Sequence, residues 1–295
     1  MSIGYHIHKN GRSFIVAIGE ELERATDHGI EMKTFQIFAM GPRNANINVT
    51  AKDTEFFRTM SDEGYRIIVH GSYLDAPWGK KSAAAIGLIK KEFKVCEVLG
   101  AYGMIIHLPQ LSPTNILPVL NQLLAAKHPR LILYLEVGSV KATADTYETP
   151  EKIAALFAGI TDRSVGFCVD TAHLWSSGVD ISTRDLAEVW IRKFKTIGIQ
   201  HVTIALNDQV NALGSGCDQH AALTYGTIFG KYNAETGDEH IKNSGLAAFL
   251  DWAISDDIPV ILERHDDTPK FHGLPVIKNI DSDLITIHSA GYFRV

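Results

Sequence analysis

The sequence predicts a single (β/α)₈ TIM barrel spanning residues 1–295, and three observations favour this fold class. Runs rich in Ile, Val, Leu and Phe recur eight times at wide spacing, each followed by a stretch with helical character. The runs are almost continuously apolar, which is typical of parallel strands covered by helices. No Gly/Ser-rich linker, internal repeat or low-complexity tract divides the chain, so we expect one domain.

The predicted strands are, in chain order, SIGYHI, TFQIFAM, YRIIVHG, YGMIIHL, RLILYLEV, SVGFCVD, HVTIALND and IPVILER. The predicted helices between them include SAAAIGLIKKEFKVCEVLG, NILPVLNQLLAA, ETPEKIAALFAGI, RDLAEVWIRKFKTI and SGLAAFLDWAI. Residues 266–295 are expected to form a loop and then a terminal helix containing DSDLITIHSAGYF. An open doubly wound sheet is the alternative fold, but no GxGxxG or GxxxxGK[ST] phosphate-binding motif follows any strand.

Composition and charge narrow the class of protein. The chain is 45% hydrophobic and carries a net charge of −6, which argues against a protein coated in positive charge. A local basic groove can still coexist with an acidic remainder. Cys96, Cys168 and Cys217 form no CxxC pair, and the N-terminus has no apolar leader, so we expect a reduced, intracellular protein. No apolar run is long enough to span a membrane.

Residues that can bind metal ions follow six of the predicted strands. A barrel places its active site at the C-terminal ends of its strands, so we expect these side chains to meet at one rim. Imidazoles and carboxylates are the ligands of zinc and similar divalent ions, and carboxylates can bridge metal pairs that act in phosphoryl transfer. Each residue alone is more often an ordinary polar or ion-pair residue, and the set predicts a polynuclear metal site. The set is His70, His107, Glu136, Asp170, His173, Asp218, His220 and Glu263, with His6 as a weaker candidate.

Four blocks of this sequence carry a resemblance to a known family. HGSYLDAPW, GFCVDTAHLWSSG, LND…GSGCDQHAAL and ILER resemble endonuclease IV, the second family of apurinic/apyrimidinic (AP) endonucleases. The residues of these blocks are similar to those of the family members found in large DNA viruses such as African swine fever virus. The resemblance implies a TIM barrel with three zinc ions that hydrolyses the phosphodiester 5′ to an abasic site. Water between the first two metals is the nucleophile in such enzymes.

The resemblance also implies how the ligands divide among the zinc ions. The implied assignment is His70 and His107 on the first ion, Glu136 bridging the first and second, Asp170 and Glu263 on the second, and His173, Asp218 and His220 on the third. The residues implied to be nearest the nucleophile, and therefore catalytic, are Glu136, Asp170 and Glu263.

The strand HVTIALND departs from the family pattern at Ala205, where the resemblance implies a further histidine ligand of the second metal. His201 lies four residues earlier, roughly 13 Å away, and cannot replace that ligand. Asn207 or Asp208 could do so only if the loop rearranged. Either the substitution is an inactivating one, or a natural variant works with a weakened second site. In the second case the remaining carboxylates favour Mn²⁺ or Mg²⁺ over zinc.

The implied partner is double-stranded DNA containing abasic sites, and the abasic nucleotide must be flipped out to reach the barrel. Arg43 and the Tyr73–Leu74 pair match the residues that the family inserts into DNA. The alternative is that Tyr73–Leu74 are a buried loop start and Arg43 a solvated charge. Other residues could contact phosphates and sugars but are by default ordinary surface residues: Trp78, Lys80, Lys81, Lys231 and Tyr232.

Two other functions stay open from the sequence. A divalent-metal sugar isomerase or epimerase uses the same barrel, but it gives no reason for the pair Asp218 and His220 or for an exposed Tyr–Leu wedge. A binding-only protein would recognise damaged DNA without cutting it, as a consequence of Ala205. We expect a monomer and, if the protein is viral, a location in the host cytoplasm or nucleus and in the virion.

Overall fold

The structure is a computed structural model that describes residues 2–43, 45–74, 77–78, 82–230, 237–264, 279–289 and 291–292. Parallel strands form a closed barrel: β1 (Ser2–His6), β2 (Met32–Ile37), β3 (Arg66–His70), β4 (Gly103–His107), β5 (Ile132–Glu136), β6 (Val165–Asp170), β7 (Val202–Ala205) and β10 (Pro259–Leu262). A short antiparallel hairpin, β8 (Asp208–Gln209) and β9 (His220–Ala221), stands apart from the barrel. The predicted (β/α)₈ barrel is therefore confirmed.

Helices follow the strands and cover the outside of the barrel. They are α1 (Phe14–Asp27), α2 (Ala51–Asp62), α3 (Ser82–Leu99), α4 (Pro113–Leu124), α5 (Pro150–Phe157), α6 (Thr171–Ser176), α7 (Arg184–Lys195), α8 (Gly237–Asn243), α9 (Gly245–Ser255) and α10 (Asn279–Ser289). Each of the helices named from the sequence is present, including the terminal one, α10. Residues 266–278, predicted to form a loop, lie outside the described residues. None of the helices in the described ranges is long and apolar enough to cross a bilayer.

The inward side chains of the barrel form an apolar floor beneath its C-terminal mouth. Side chains two apart on a strand share a face, so each strand that contributes to the floor can also contribute to the mouth above it. The floor consists of Ile68, Ile105, Ile132, Tyr134, Cys168, Ala205 and Ile261, all buried. The inward positions two residues beyond members of this floor are His70, His107, Glu136, Asp170, Asn207 and Glu263. Strand alternation therefore brings most of the predicted ligands to one end of the barrel.

Two glycines make room for the largest side chain of the floor. Tyr134 on β5 pairs in register with Gly166 on β6, and Gly103 on β4 lies on its other side. A methyl group on Gly103 would lie 2.5 Å from the Tyr134 ring. A methyl group on Gly166 would lie 2.8 Å from that ring and 2.5 Å from the carbonyl oxygen of His201. The absence of a side chain at these positions lets one aromatic ring fill the barrel.

We predict that Gly166→Ala destabilises the protein by about 1–3 kcal/mol, because backbone and ring atoms must move to accept the new methyl group. Thermal unfolding followed by circular dichroism should show the melting temperature falling by several degrees. Gly87→Ala on α3 is the matched control, since no atom lies within 4 Å of the added methyl group. It should leave the melting temperature unchanged or raise it, because alanine favours a helix. Equal melting temperatures for wild type and Gly166→Ala would contradict this packing.

Candidate metal centre

The first group of potential ligands comes from three adjacent strands. His70 ends β3, His107 ends β4 and Glu136 ends β5. Their ligand atoms lie close together: His107 Nε2 is 3.0 Å from Glu136 Oε2 and 3.2 Å from His70 Nε2. His70 Nε2 is 3.6 Å from the same carboxylate oxygen. Two imidazoles and a carboxylate with this spacing can hold one divalent ion.

The second group lies beside the first and combines β6, α6 and the β8–β9 hairpin. Asp170 caps the N-terminus of α6, where its Oδ1 accepts the backbone N–H of His173 at 2.9 Å. This cap explains the Asp-x-x-His spacing, because it places both side chains on the same side of the first helical turn. Asp170 Oδ2 is 3.7 Å from Nε2 of His220, which starts β9, and 4.0 Å from Nε2 of His173. These three residues form a second set that could hold an ion.

Asp218 and Glu263 extend this second group. Asp218 Oδ1 lies 3.3 Å from His173 Nε2 and 3.1 Å from His220 Nε2, and the Asp218 side chain is half exposed. Glu263 Oε2 is 3.9 Å from His220 Nδ1. All eight predicted ligands therefore lie at the barrel mouth. Their individual metal assignments stay predictions.

Backbone carbonyls orient three of the imidazoles. The Nδ1 atoms of His70, His173 and His220 face the carbonyl oxygens of Gly71, Val137 and Glu263 at 2.8, 2.8 and 3.3 Å. A carbonyl oxygen can only accept a hydrogen bond, so Nδ1 carries the proton in each neutral ring and Nε2 is left with a lone pair. Each Nε2 points into the clusters. This is the outer-shell arrangement that fixes metal-binding histidines.

Several buried atoms of the mouth have no hydrogen-bond partner within the described part of the chain. They are both carboxylate oxygens of Glu136, Oε1 of Glu263, and Nε2 of His173 and His220. Buried polar atoms are normally satisfied, and ion binding is a standard reason for exceptions. Nitrogen and oxygen atoms that converge at 3–4 Å without hydrogen-bond geometry fit the donor set of zinc. The residues present therefore fit a metal centre.

The pKa shifts of groups at the barrel mouth also indicate a cation site. Burial alone would lower the pKa of His173, but the carboxylates of Asp170 and Asp218 outweigh it and hold that pKa well above its ordinary value. Burial, and then the negative charge of Glu136, raise the pKa of Glu263. The mouth thus concentrates negative charge that protons or cations must offset.

Position 205 offers no ligand. Ala205 is fully buried in the apolar floor. The Asp208 carboxylate accepts backbone N–H groups of Gln209, Thr224 and Ile228 at 2.8–3.0 Å, so it anchors the loop after β9 and is not available to a metal. Asn207 points its amide N–H at Asp170, at 2.7 Å, and therefore presents a donor where a metal needs a lone pair.

His6, the weaker candidate, lies outside the two groups of candidate ligands. Its ring is 6.4 Å from the ring of His70, and its Nδ1 is hydrogen-bonded to Gln36. Trp78 is half-buried and donates its indole N–H to the carbonyl oxygen of His107 at 3.0 Å, so it supports that strand end. Lys80, Lys81, Lys231 and Tyr232 lie outside the described residues.

The predicted wedge is exposed beside the first group. Tyr73 and Leu74 are 52% and 47% exposed, so the alternative of a buried loop start is wrong. The Tyr73 ring packs 5.5 Å from the ring of His70 and 5.8 Å from that of His107. Arg43 is exposed on the neighbouring loop. A flat aromatic side chain thus reaches into solvent directly next to the candidate metal site.

Ser72 joins the loop that carries Arg43 to the loop that carries Tyr73 and Leu74. Its hydroxyl lies 3.1 Å from the carbonyl oxygen of Gly41 and 3.2 Å from that of Pro42. The Tyr73 N–H donates to the same Pro42 carbonyl at 2.9 Å. The Arg43 loop and the Tyr73–Leu74 loop are therefore tied together at their bases.

A groove of about 960 Å³ runs along the rim between the loops after β1, β2 and β3. It is bordered by the basic side chains of Lys9, Arg12 and Arg43, by Tyr73, and by Asp218 of the second metal group. Lys9 and Arg12 were not among the residues predicted from the sequence. The signal was present, because Lys9-Asn10-Gly11-Arg12 directly follows the first strand, where a barrel carries its functional loops.

Comparisons with known proteins agree with this geometry. A family model described as xylose isomerase-like TIM barrel, AP endonuclease family 2, matches residues 22–274. The probable AP endonuclease of African swine fever virus (isolate Tick/Malawi/Lil 20-1/1983) is 34% identical over 258 residues, 85% of this chain and 83% of that protein. The probable endonuclease 4 of Halothermothrix orenii is 25% identical over 88% of this chain and 93% of its own length.

Solved structures extend the similarity to the whole fold. The crystal structure of AsfvAP:AG superposes with a TM-score of 0.85 at 28% identity, covering 98% of each chain. Endonuclease IV from Thermus thermophilus superposes with a TM-score of 0.72 at 22% identity, covering 99% of each chain, and supports the fold. The match of the family model and the identity to the viral relative are decisive: the chain belongs to AP endonuclease family 2, the endonuclease IV family.

Proposed function

We propose that this chain is a DNA-repair AP endonuclease that hydrolyses the phosphodiester 5′ to an abasic site in double-stranded DNA with the help of zinc ions. The observation that carries the proposal is the convergence of eight imidazole and carboxylate side chains at one barrel mouth, directly beside an exposed Tyr–Leu wedge. The names of its relatives support the same function. We expect it to act as an intracellular monomer and, if viral, in the infected host cell.

Two groups of side chains in the mouth would hold zinc. The first group, His70, His107 and Glu136, would hold one ion, and the group around His173 and His220 another. Bound zinc would lower the pKa of water and stabilise negative charge on the phosphate. Backbone carbonyls keep the imidazole rings aimed at the ions before substrate arrives, so little reorganisation is needed during the reaction.

The wedge and the groove would bind the DNA. Base flipping leaves a gap in the stack that an aromatic and an aliphatic side chain can fill, and Tyr73 and Leu74 are exposed enough to do so. Lys9, Arg12 and Arg43 along the groove would contact phosphates without reading sequence. An overall charge of −6 is no obstacle, because these cations are gathered on one side of the mouth.

Of the three zinc sites that the family implies, the second lacks one of its expected ligands. With Ala205 in place of an imidazole it would have only the carboxylates of Glu136, Asp170 and Glu263. Oxygen-only ligand sets suit Mn²⁺ or Mg²⁺ better than zinc. We therefore propose that this site is weak for zinc and that it limits the activity of the chain.

The function is tested with a labelled DNA duplex that contains one tetrahydrofuran residue as an abasic analogue. We expect a single cut at its 5′ phosphodiester, loss of cutting after dialysis against a chelator, and recovery on adding zinc together with Mn²⁺. The same duplex without the lesion is the control and should stay intact.

Other outcomes of this assay separate the alternatives. A retained gel shift without cutting under any metal would support a damaged-DNA binder disabled at Ala205. No interaction with the lesion duplex would contradict the proposal and favour a sugar isomerase or epimerase.

We predict that Ala205→His raises the rate of incision at limiting zinc by about 10–100-fold or more. Loss of an outer-shell partner already costs a metal site about 10–100-fold, and here the added residue would be a direct ligand. The reason is that an imidazole at position 205, which pairs in register with Asp170 on the neighbouring strand, adds a nitrogen ligand to three carboxylates. Single-turnover incision of the tetrahydrofuran duplex measures the change.

Ala205→Leu is the matched control, since it fills similar space without a ligand atom, and it should not raise incision. An unchanged rate in a folded Ala205→His variant would mean that the second metal does not need this ligand, and would contradict the proposal of a limiting site.

A further inference from the structure

Asn207 is the side chain that the seventh barrel strand contributes above the apolar floor. It follows β7 and stands at the inward position two residues beyond Ala205. It is fully buried. It lies between Asp170 of the second metal group and the backbone of Glu263. The family pattern implies a ligand at position 205, whereas the contacts of this strand with the site run through Asn207.

The amide of Asn207 bridges two candidate ligands. Its Nδ2 donates to Asp170 Oδ2 at 2.7 Å. Its Oδ1 accepts the backbone N–H of Glu263 at 3.1 Å and Nη1 of Arg264 at 2.7 Å. An ionised carboxylate only accepts and a guanidinium only donates, so these contacts permit one orientation of the amide.

Arg264 is held in turn by the C-terminal helix. Its Nε lies 2.7 Å from Oδ2 of Asp283 on α10, and both side chains are buried, at 1% and 0% exposure. Asp283 also accepts the backbone N–H of Leu223 at 2.6 Å, and Arg264 donates to the carbonyl oxygen of Glu263 at 2.9 Å. A buried ion pair needs such additional hydrogen bonds to offset its desolvation. The pair therefore forms a fixed support for the amide of Asn207.

Asp170 has both oxygens committed as a result. Oδ1 caps α6 by accepting the His173 N–H, and Oδ2 accepts the Asn207 amide while facing His220 Nε2 at 3.7 Å. The Asn207 hydrogen bond thus determines the direction of the lone pairs that Asp170 presents to a cation.

We propose that Asn207 is a positioning residue of the metal centre: it orients Asp170 and the start of the Glu263 turn for metal binding, and the buried Arg264–Asp283 pair holds its amide in place. The inference rests on the proposed metal-dependent function. Outer-shell partners of this kind typically change metal affinity by about 10–100-fold.

The test compares zinc affinity of the full chain and of the variant Asn207→Asp. The variant keeps the shape and the acceptor used by Arg264 and Glu263, replaces the N–H donor with a carboxylate oxygen facing Asp170, and adds one negative charge. Asn211→Asp is the matched control, because it adds the same charge at a side chain whose hydrogen bonds among the described residues go to Gln209 and Gln219, both at 3.4 Å. Zinc bound per chain is measured by mass spectrometry at buffered free zinc concentrations, and folding by the melting temperature of the chelator-treated protein.

We expect Asn207→Asp to bind zinc about 10–100-fold more weakly, and Asn211→Asp to bind as the wild type does. Asp283→Asn, which keeps the acceptor for Leu223 and removes the charge opposite Arg264, should shift zinc affinity in the same direction and covers the case that Asn207→Asp does not fold. If Asn207→Asp folds and binds zinc with wild-type affinity, the role of Asn207 is overturned and the proposed function stands. If only Asp283→Asn folds, wild-type zinc affinity in that variant has the same meaning. Absence of zinc binding by the wild type would overturn the proposed function, and this inference with it.

Discussion

The constraint on which the site depends is the repulsion among carboxylates that the barrel forces together at its mouth. Glu136 and Asp170 are buried, and Glu263 is partly buried, above an apolar floor that cannot solvate their charge. Four imidazoles surround this part of the mouth, and their Nε2 atoms face carboxylate oxygens. Such an arrangement is stable when cations offset the charge. The side chains above the floor therefore form a candidate cation site, whose negative charge a bound metal would offset.

The fold, and the position of most candidate ligands at the barrel mouth, were accessible from sequence because both depend on where the apolar strand runs end. The strands are visible as almost continuously apolar runs, and a residue at the end of such a run must lie at the barrel mouth, as His70, His107 and Glu136 do. The hairpin β8–β9 was not predicted, because its strands are two residues long and carry no periodic pattern.

The hydrogen bonds that hold the candidate ligands in place could not be predicted from the sequence in this way. The bond from Asn207 to Asp170 spans 37 residues, and that from Asn207 to Arg264 spans 57. Which of many polar residues pair over such separations depends on the register of β7 against its neighbours and on the docking of α10, and no local pattern encodes either. The same limit applies to Ser72: its sequence position suggests a loop, whereas its contacts show that it joins two loops.

The central claim is that the barrel mouth cages divalent ions, and X-ray diffraction from crystals of the wild-type protein at the zinc absorption edge tests it most directly. We predict anomalous peaks about 2.0–2.1 Å from the imidazole nitrogens of His70 and His107 and from those of His173 and His220. A mouth without anomalous density in crystals grown with zinc, or with Glu136 and Asp170 turned away from these rings, would contradict it.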